Sequence, residues 1–373
     1  MSRSIEFPGA VAAPDTFTEE TPDLSLRDSL LRAALVFIVL CVGFYFVGAS
    51  GSHSLHPRAV VHYLFTATPA AVSSYASYYF YNILEKYDFW GVLASVGFLM
   101  IIGIAAFLLL FEVFYYWFKR GDFRAGIRET SLYRFAFGDK SERTDLYLFV
   151  YYALSLDGLV VMALGLLGPF IIFGILVNNV QIGIGQYIPS WAAFLVFILV
   201  ADFLAYWFHR FAHTTTSLWE LHKFHHSATS MNLLTAHRNH PFEVAMQYPL
   251  RAIPLILVGP SIPEYVAYTI IHHAVILLQH SNFNVGFGWI GRIIVSPRFH
   301  LLHHSSKPEH FDQNYAVVFS FWDDLFGTRY KGQDIEPVYG VTANYFNRRG
   351  FGFDMWSPFK RFWRGIFRKP IKV

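Results

Sequence analysis

A single cysteine, Cys41, stands in the 373-residue chain. Disulfides, cysteine-built zinc sites and cysteine-ligated iron–sulfur clusters are therefore excluded, and any metal must rest on nitrogen and oxygen. Charge is also scarce: charged residues make up 15% of the chain against 54% hydrophobic ones, and the net charge is +3. With a positive mean hydropathy, this composition points to a membrane protein rather than a soluble globule. Three motifs are missing. There is no Glu-x-x-His, the signature of soluble di-iron bundles. There is no His-Pro-Gly-Gly haem signature of a fused cytochrome b5, and no Gly-rich dinucleotide fingerprint at a strand-to-helix turn. Internal repeats and low-complexity tracts are absent too.

What is present begins with apolar runs close to the roughly 20 residues that cross a bilayer. Leu31 to Val47, Trp90 to Phe118, Leu146 to Val180 and Trp191 to Phe208 read as four spans. Asp157-Gly158 and Gly168-Pro169 are possible breaks in the third. Ala59 to Leu84 is a fifth span or an amphipathic interfacial segment. Val244 to Gln279 is punctuated by Pro249, Pro254, Gly259, Pro260 and Pro263, which suits a bent or re-entrant helical hairpin. Residues 1–28 are polar and net acidic, expected as a disordered tail and not as a signal peptide. The loop Lys119 to Arg143 carries seven Lys/Arg and Gln181 to Ser190 carries no charge, so the positive-inside rule puts the first in the cytoplasm and the second outside. His209 then emerges on the cytoplasmic side. Phe359 to Val373, with six Lys/Arg among Phe362, Trp363, Ile366 and Phe367, reads as a basic interfacial tail facing anionic lipid; a nucleic-acid partner is not expected. The expected fold is all-α, a polytopic membrane helical bundle with a histidine-rich di-metal site on its cytoplasmic face. Its expected location is the bacterial plasma membrane ahead of the endoplasmic reticulum.

Thirteen of the seventeen histidines fall between His209 and His304. Eight of them form three clusters: His209-Arg-Phe-Ala-His213, His222-Lys-Phe-His225-His226 and His300-Leu-Leu-His303-His304. Spacings of three and four put members of a cluster on one helix face. One such histidine alone would read as a packed core residue, but burying this many imidazoles without partners carries a large desolvation cost. Eight exceed the ligand set of one tetrahedral zinc, so two metals are implied. Imidazole suits zinc, copper, iron and nickel alike.

The ordered clusters, following a span, resemble the fatty acid hydroxylase/sterol desaturase superfamily of integral-membrane di-iron oxygenases. The flanking stretches are similar too: Asp202 with Tyr206-Trp207-Phe208-His209-Arg210, Trp219-Glu-Leu-His222-Lys, His240-Pro241-Phe-Glu243, Gln279-His280-Ser-Asn282, Ser296-Pro297-Arg-Phe-His300, and Asn314-Tyr315 leading to Trp322-Asp323-Asp324-Leu-Phe-Gly327-Thr328. The resemblance covers about residues 145–330. It divides the chain into the tail 1–28, a transmembrane region with its basic loop at 29–144, a catalytic domain at 145–330 and the basic tail at 331–373. It implies that His209, His213, His222, His225, His226, His300, His303 and His304 ligate two irons, with His280 as a further ligand. Ile276 stands where some family members have another histidine. His240 is either a ligand or a supporting group. His237, one helical turn before His240, is a weaker candidate; the tandem pair His272-His273 is expected as a hydrogen-bonded core feature, with ligation by His273 as the alternative; His310 is expected in a loop; and His53, His56 and His62 are expected to have no metal role. Asp202, within a span and seven residues before His209, is expected to take a proton from that imidazole, with a helix-packing hydrogen bond as the alternative. Asp323 or Asp324 is expected to do the same for the third cluster, or to serve the turn before Gly327.

The resemblance implies an enzyme that hydroxylates or desaturates a lipid, whether a sterol, fatty acyl chain, carotenoid or alkyl/ornithine-type lipid, with O2 as co-substrate. Electrons would come from a separate ferredoxin, cytochrome b5 or reductase. The rival readings are a histidine-rich metal transporter or sensor, which would string ionisable groups along a midplane path, and a zinc-dependent membrane hydrolase, which would need fewer ligands.

Overall fold

A computed structural model of the chain describes residues 96–154, 182–332, 336–341, 345–346 and 350–367. The expected tail at 1–28, the spans Leu31 to Val47 and Ala59 to Leu84, His53, His56 and His62, both break points between 157 and 169 and the chain beyond Phe367 lie outside the described residues. Among those residues every regular element is helical; two isolated β-bridges, Ile294 to Phe319 and Ser305 to Tyr339, are the sole extended pairings.

Helix α1 (Val96–Arg120) is almost wholly apolar until Lys119 and Arg120 close its last turn. It stops at Gly121, whose φ of 64° is the left-handed conformation that ends helices. The acid inside it, Glu112, is buried, and accepts hydrogen bonds from the Ser131 amide (2.8 Å) and hydroxyl (3.1 Å). Those donors open α3 (Ser131–Phe137), which follows the single-turn α2 (Phe123–Ile127). Helix α4 (Lys140–Ala153) begins six residues before the apolar run expected at Leu146, because Asp139 and Glu142 form a reciprocal capping box at its start. Its inner face carries Asp145, whose carboxylate takes hydrogen bonds from Arg238 Nε (2.6 Å), Asn232 (2.7 Å) and Thr235 (2.9 Å), all buried. The basic loop is thus packed onto the histidine-bearing segments as one body, and Arg134 adds a bond to the Met231 carbonyl.

Helix α5 (Ser190–Thr214) has 25 residues, about 37 Å at 1.5 Å per residue. It and Met100–Arg120 of α1 are the two described helices long and apolar enough to cross a membrane. A short α6 (Thr216–His222) follows directly. The proline-rich segment forms a helical hairpin that turns at two of its punctuating residues, Gly259 and Pro260, whereas Pro249 and Pro254 lie inside α7 (Pro241–Val258), each removing one helix hydrogen bond. The chain turns at Gly259, with φ 65°, into a capping box of Ser261 and Glu264 that starts α8 (Ile262–His280). Helices α9 (Pro297–His303) and α10 (Phe321–Leu325) pack on the inner half of α5 through Phe203, Tyr206, Trp207, Phe299, Trp322 and Phe326. The amphipathic α11 (Phe351–Phe367) lies across α6, seating Phe362 against Leu221 and Phe242.

Candidate metal centre

The histidines meet because four helices end at one place. His209 and His213 occupy the last two turns of α5, His222 ends α6, His280 ends α8, and His300 and His303 lie in the last turn of α9 with His304 capping it. Helix C-termini carry partial negative charge, so this convergence favours a cation. The ring nitrogens fall into two groups, His209, His213, His222, His226 and His303 in one, His225, His280, His300 and His304 in the other, with ligand atoms in each within 4.8 Å of one another. No carboxylate joins either group among the described residues.

Hydrogen bonds to one side of several rings decide which nitrogen faces inward. His209 Nδ1 meets the Tyr315 carbonyl at 2.7 Å, His303 Nδ1 the Gln313 carbonyl at 2.8 Å and His280 Nδ1 the Ile276 carbonyl at 2.6 Å. A carbonyl only accepts, so Nδ1 carries the proton and Nε2 presents a lone pair. His222 Nδ1 faces the Glu243 carboxylate at 2.8 Å, both side chains buried. Inward, His213, His222, His226 and His303 each hold a buried Nε2 with no hydrogen-bond partner. In the second group His300 Nε2 lies 3.0 Å from both His280 Nε2 and His304 Nε2, and His280 Nε2 lies 3.2 Å from His225 Nε2. One proton on His300 serves a single neighbour, so hydrogen bonding cannot satisfy this set. Nitrogens about 2.0–2.1 Å from a shared metal ion sit roughly 3 Å apart. The donor set therefore fits metal ions. Burial, reinforced by neighbouring imidazoles, holds His225, His226, His300 and His304 well below the usual histidine range, and burial takes His303 down to about 3. The neutral form that binds metal is the one favoured.

Three sequence expectations change. His240 stands outside both groups: its Nδ1 accepts from the Phe242 amide (3.2 Å) as the cap of α7, and its Nε2 donates to the Met355 carbonyl of α11 (2.6 Å), leaving neither nitrogen for a metal. Asp202 takes no proton from His209; its carboxylate accepts from the amides of Val318 (2.9 Å) and Phe319 (2.8 Å) and the Trp322 indole (3.0 Å). That is the helix-packing alternative, since seven residues along α5 carry Asp202 away from the histidines to the level where α10 docks. Asp323 touches no histidine either. It accepts from the amides of Tyr315 (2.9 Å) and Ala316 (2.8 Å), holding from behind the segment whose carbonyls fix His209 and His303, and burial raises its carboxyl to about 6. Its backbone carbonyl also receives the Thr328 amide across the turn at Gly327.

Residues that sequence reasoning passed over share in this arrangement. Glu243 lies in the His240-Pro241-Phe-Glu243 stretch, yet its partner His222 is 21 residues away. The carbonyls of Gln313 and Tyr315 flank Asn314, which adopts a left-handed φ of 60°. Its side chain accepts from the Tyr330 amide and donates to the Phe299 carbonyl. Asn is among the few residues that tolerate this conformation, which is the one sequence signal available.

Part of the chain is similar to known proteins. Residues 194–328 match the fatty acid hydroxylase family. Over 191 residues the chain is 30% identical to alkylglycerol monooxygenase of Danio rerio, covering 48% of this chain and 41% of that protein. It is 31% identical over 169 residues to ornithine lipid hydroxylase OlsE of Rhizobium tropici (44% and 49%), and 32% identical over 168 residues to very-long-chain aldehyde decarbonylase GL1-5 of Oryza sativa subsp. indica (40% and 26%). The chain thus spans less than half the length of these relatives. No solved structure matches significantly. The matched residues 194–328, similar to the fatty acid hydroxylase family, include all nine histidines of the two groups.

Proposed function

We propose that the protein is a membrane-bound oxygenase that oxidises a lipid at a two-iron centre held by nine histidines: His209, His213, His222, His226 and His303 at one ion, His225, His280, His300 and His304 at the other. The observation that carries this reading is the buried set of inward ring nitrogens without protein partners. Iron bound there would supply the redox chemistry that activates O2 toward an unreactive C–H bond, which zinc lacks. For hydroxylation the balance is a C–H bond and O2, with two electrons and two protons from an external donor, giving an alcohol and water.

The chain's own residues prepare that centre. The carbonyls of Tyr315, Gln313 and Ile276 fix three imidazoles in the tautomer that turns Nε2 inward. Glu243 does the same for His222 and fixes the orientation of its ring. Phe203, Tyr206, Trp207, Trp322 and Phe326 wall off α5 beside the centre and keep water from it. The relatives named above act on alkylglycerols, ornithine lipids and very-long-chain aldehydes, so a long-chain lipid reaching the site from the bilayer is the proposed substrate, with a separate electron donor on the cytoplasmic side.

Lipid profiling of cells with and without the gene tests the reading. A product heavier by one oxygen identifies a hydroxylase and one lighter by two hydrogens a desaturase. Iron near two per chain and substrate-dependent O2 uptake complete the result. One zinc per chain with no O2 uptake would overturn it in favour of a hydrolase, and metal flux across vesicles without lipid turnover in favour of a transporter.

A further inference from the structure

Helix α11 has two faces with different fates. Its inner face is committed: Asp354, Ser357, Pro358 and Phe362 are buried, Phe362 against Leu221 of α6 and Phe242 of α7, and the Met355 carbonyl accepts a hydrogen bond from His240. At Gly365 a Cβ would stand 2.8 Å from Ser217 Oγ, so the helices touch closely. Ser217 comes three residues after the end of α5, a helix long and apolar enough to span the bilayer. The packing thus places α11 at the mouth of that span.

The outer face is largely uncovered among the described residues, with the Phe359 and Trp363 rings at its edge meeting Phe242. Trp356, Phe359, Lys360, Trp363, Arg364 and Phe367 line an open groove of about 390 Å³. Phe367 is 77% and Trp356 54% exposed, an apolar display unusual for a surface meeting only water. Its charges are of one sign. Lys360 and Arg364, one turn apart, border the groove, while the helix's acid, Asp354, is buried on the opposite side. Tryptophan and phenylalanine flanked by lysine and arginine, on a helix lying beside a span exit, match the boundary between acyl chains and anionic headgroups.

We propose that α11 lies in the plane of the membrane surface and that its groove binds an anionic phospholipid, the rings entering the acyl region and Lys360 and Arg364 pairing with the phosphate. This holds whether or not the histidine centre oxidises lipid. The test uses the full chain with Cys41→Ser and Ile366→Cys, labelled with an environment-sensitive fluorophore and placed in nanodiscs. In discs containing phosphatidylglycerol the emission should shift to the blue, acrylamide quenching should fall at least threefold, and brominated lipid should quench. In pure phosphatidylcholine, or with Lys360→Glu and Arg364→Glu, at least half of that protection should be lost; both side chains are exposed, so the fold is not disturbed. Equal emission in the two discs would overturn anionic recognition. Full protection by inorganic phosphate in detergent would show a headgroup site without a membrane surface, and probe-to-probe energy transfer in discs holding two chains would assign the groove to a second copy; either result overturns the proposal.

Discussion

Asn314 shows how a single residue reaches the centre without touching it. Asn314→Ala forces a methyl side chain into a left-handed conformation, at about 1–2 kcal/mol, and removes the bonds to Tyr330 and Phe299. Both melting temperature and bound metal should fall, while Asn314→Gly, free to keep the conformation, should retain more of both. Glu243→Gln should lower metal affinity about 10 to 100-fold with little change in melting temperature. Asp202→Asn should do the reverse, because Asp202 holds α10 and not an imidazole. His240→Ala should cost about 1 kcal/mol as a lost helix cap and leave metal content unchanged; loss of metal in that variant would make it a ligand after all. Acid acts on the histidines themselves. With folded values far below the unfolded value of about 6.5, the unfolded chain binds more protons, so stability of the metal-free protein should fall as pH drops from about 6.5 toward the value of about 3 at His303. Thermal melting across that range checks the sign. Of these residues, the eight clustered histidines were legible because spacings of three and four report a shared face directly. His280 came through the resemblance to a family. Glu243 and the carbonyl partners were hidden, one because its histidine is distant in sequence, the others because a backbone oxygen has no identity in a sequence.

Elements were legible where apolar content and helix length coincide, and less so where a buried polar pair overrides them. The span containing α5 and the hairpin of α7 and α8 could be read from their runs and turn residues. The start of α4 could not, since its first turns are polar and are held by a capping box and by Asp145 against Arg238, both fully buried. Removing one partner strands the other charge, so Asp145→Ala or Arg238→Ala should destabilise the protein by about 3–5 kcal/mol, measured by denaturant unfolding in detergent. A loss under 1 kcal/mol would mean that water reaches the pair. Pro249 and Pro254 misled in the opposite direction: within α7 they weaken a helix that packing retains, so of the punctuating residues only Gly259 and Pro260 mark the turn.

For the whole molecule, the arrangement to test is which side carries the centre. Gln186 precedes α5 and His209 lies near its C-terminal end, while the basic loop packs on the segment around Met231 and Arg238. Single cysteines at Lys140, Gln186 and Lys360, all exposed, in a Cys41→Ser background should separate under a membrane-impermeant thiol reagent on intact cells: Gln186 labels and the other two do not. Labelling at Lys140 or Lys360 with Gln186 silent would place the histidines outside. The convergence of four helix ends has a consequence for how the protein is made. A chain emerging from the ribosome has five of the nine ring donors by His226 and a sixth at His280, yet neither group is complete until α9 delivers His300, His303 and His304. Loading with metal would then follow synthesis of that helix, when the ions would act as clasps across a stretch of nearly one hundred residues. Starved of iron during growth, cells should accumulate a chain whose segments from α6 to α9 are opened to protease while its membrane helices stay intact.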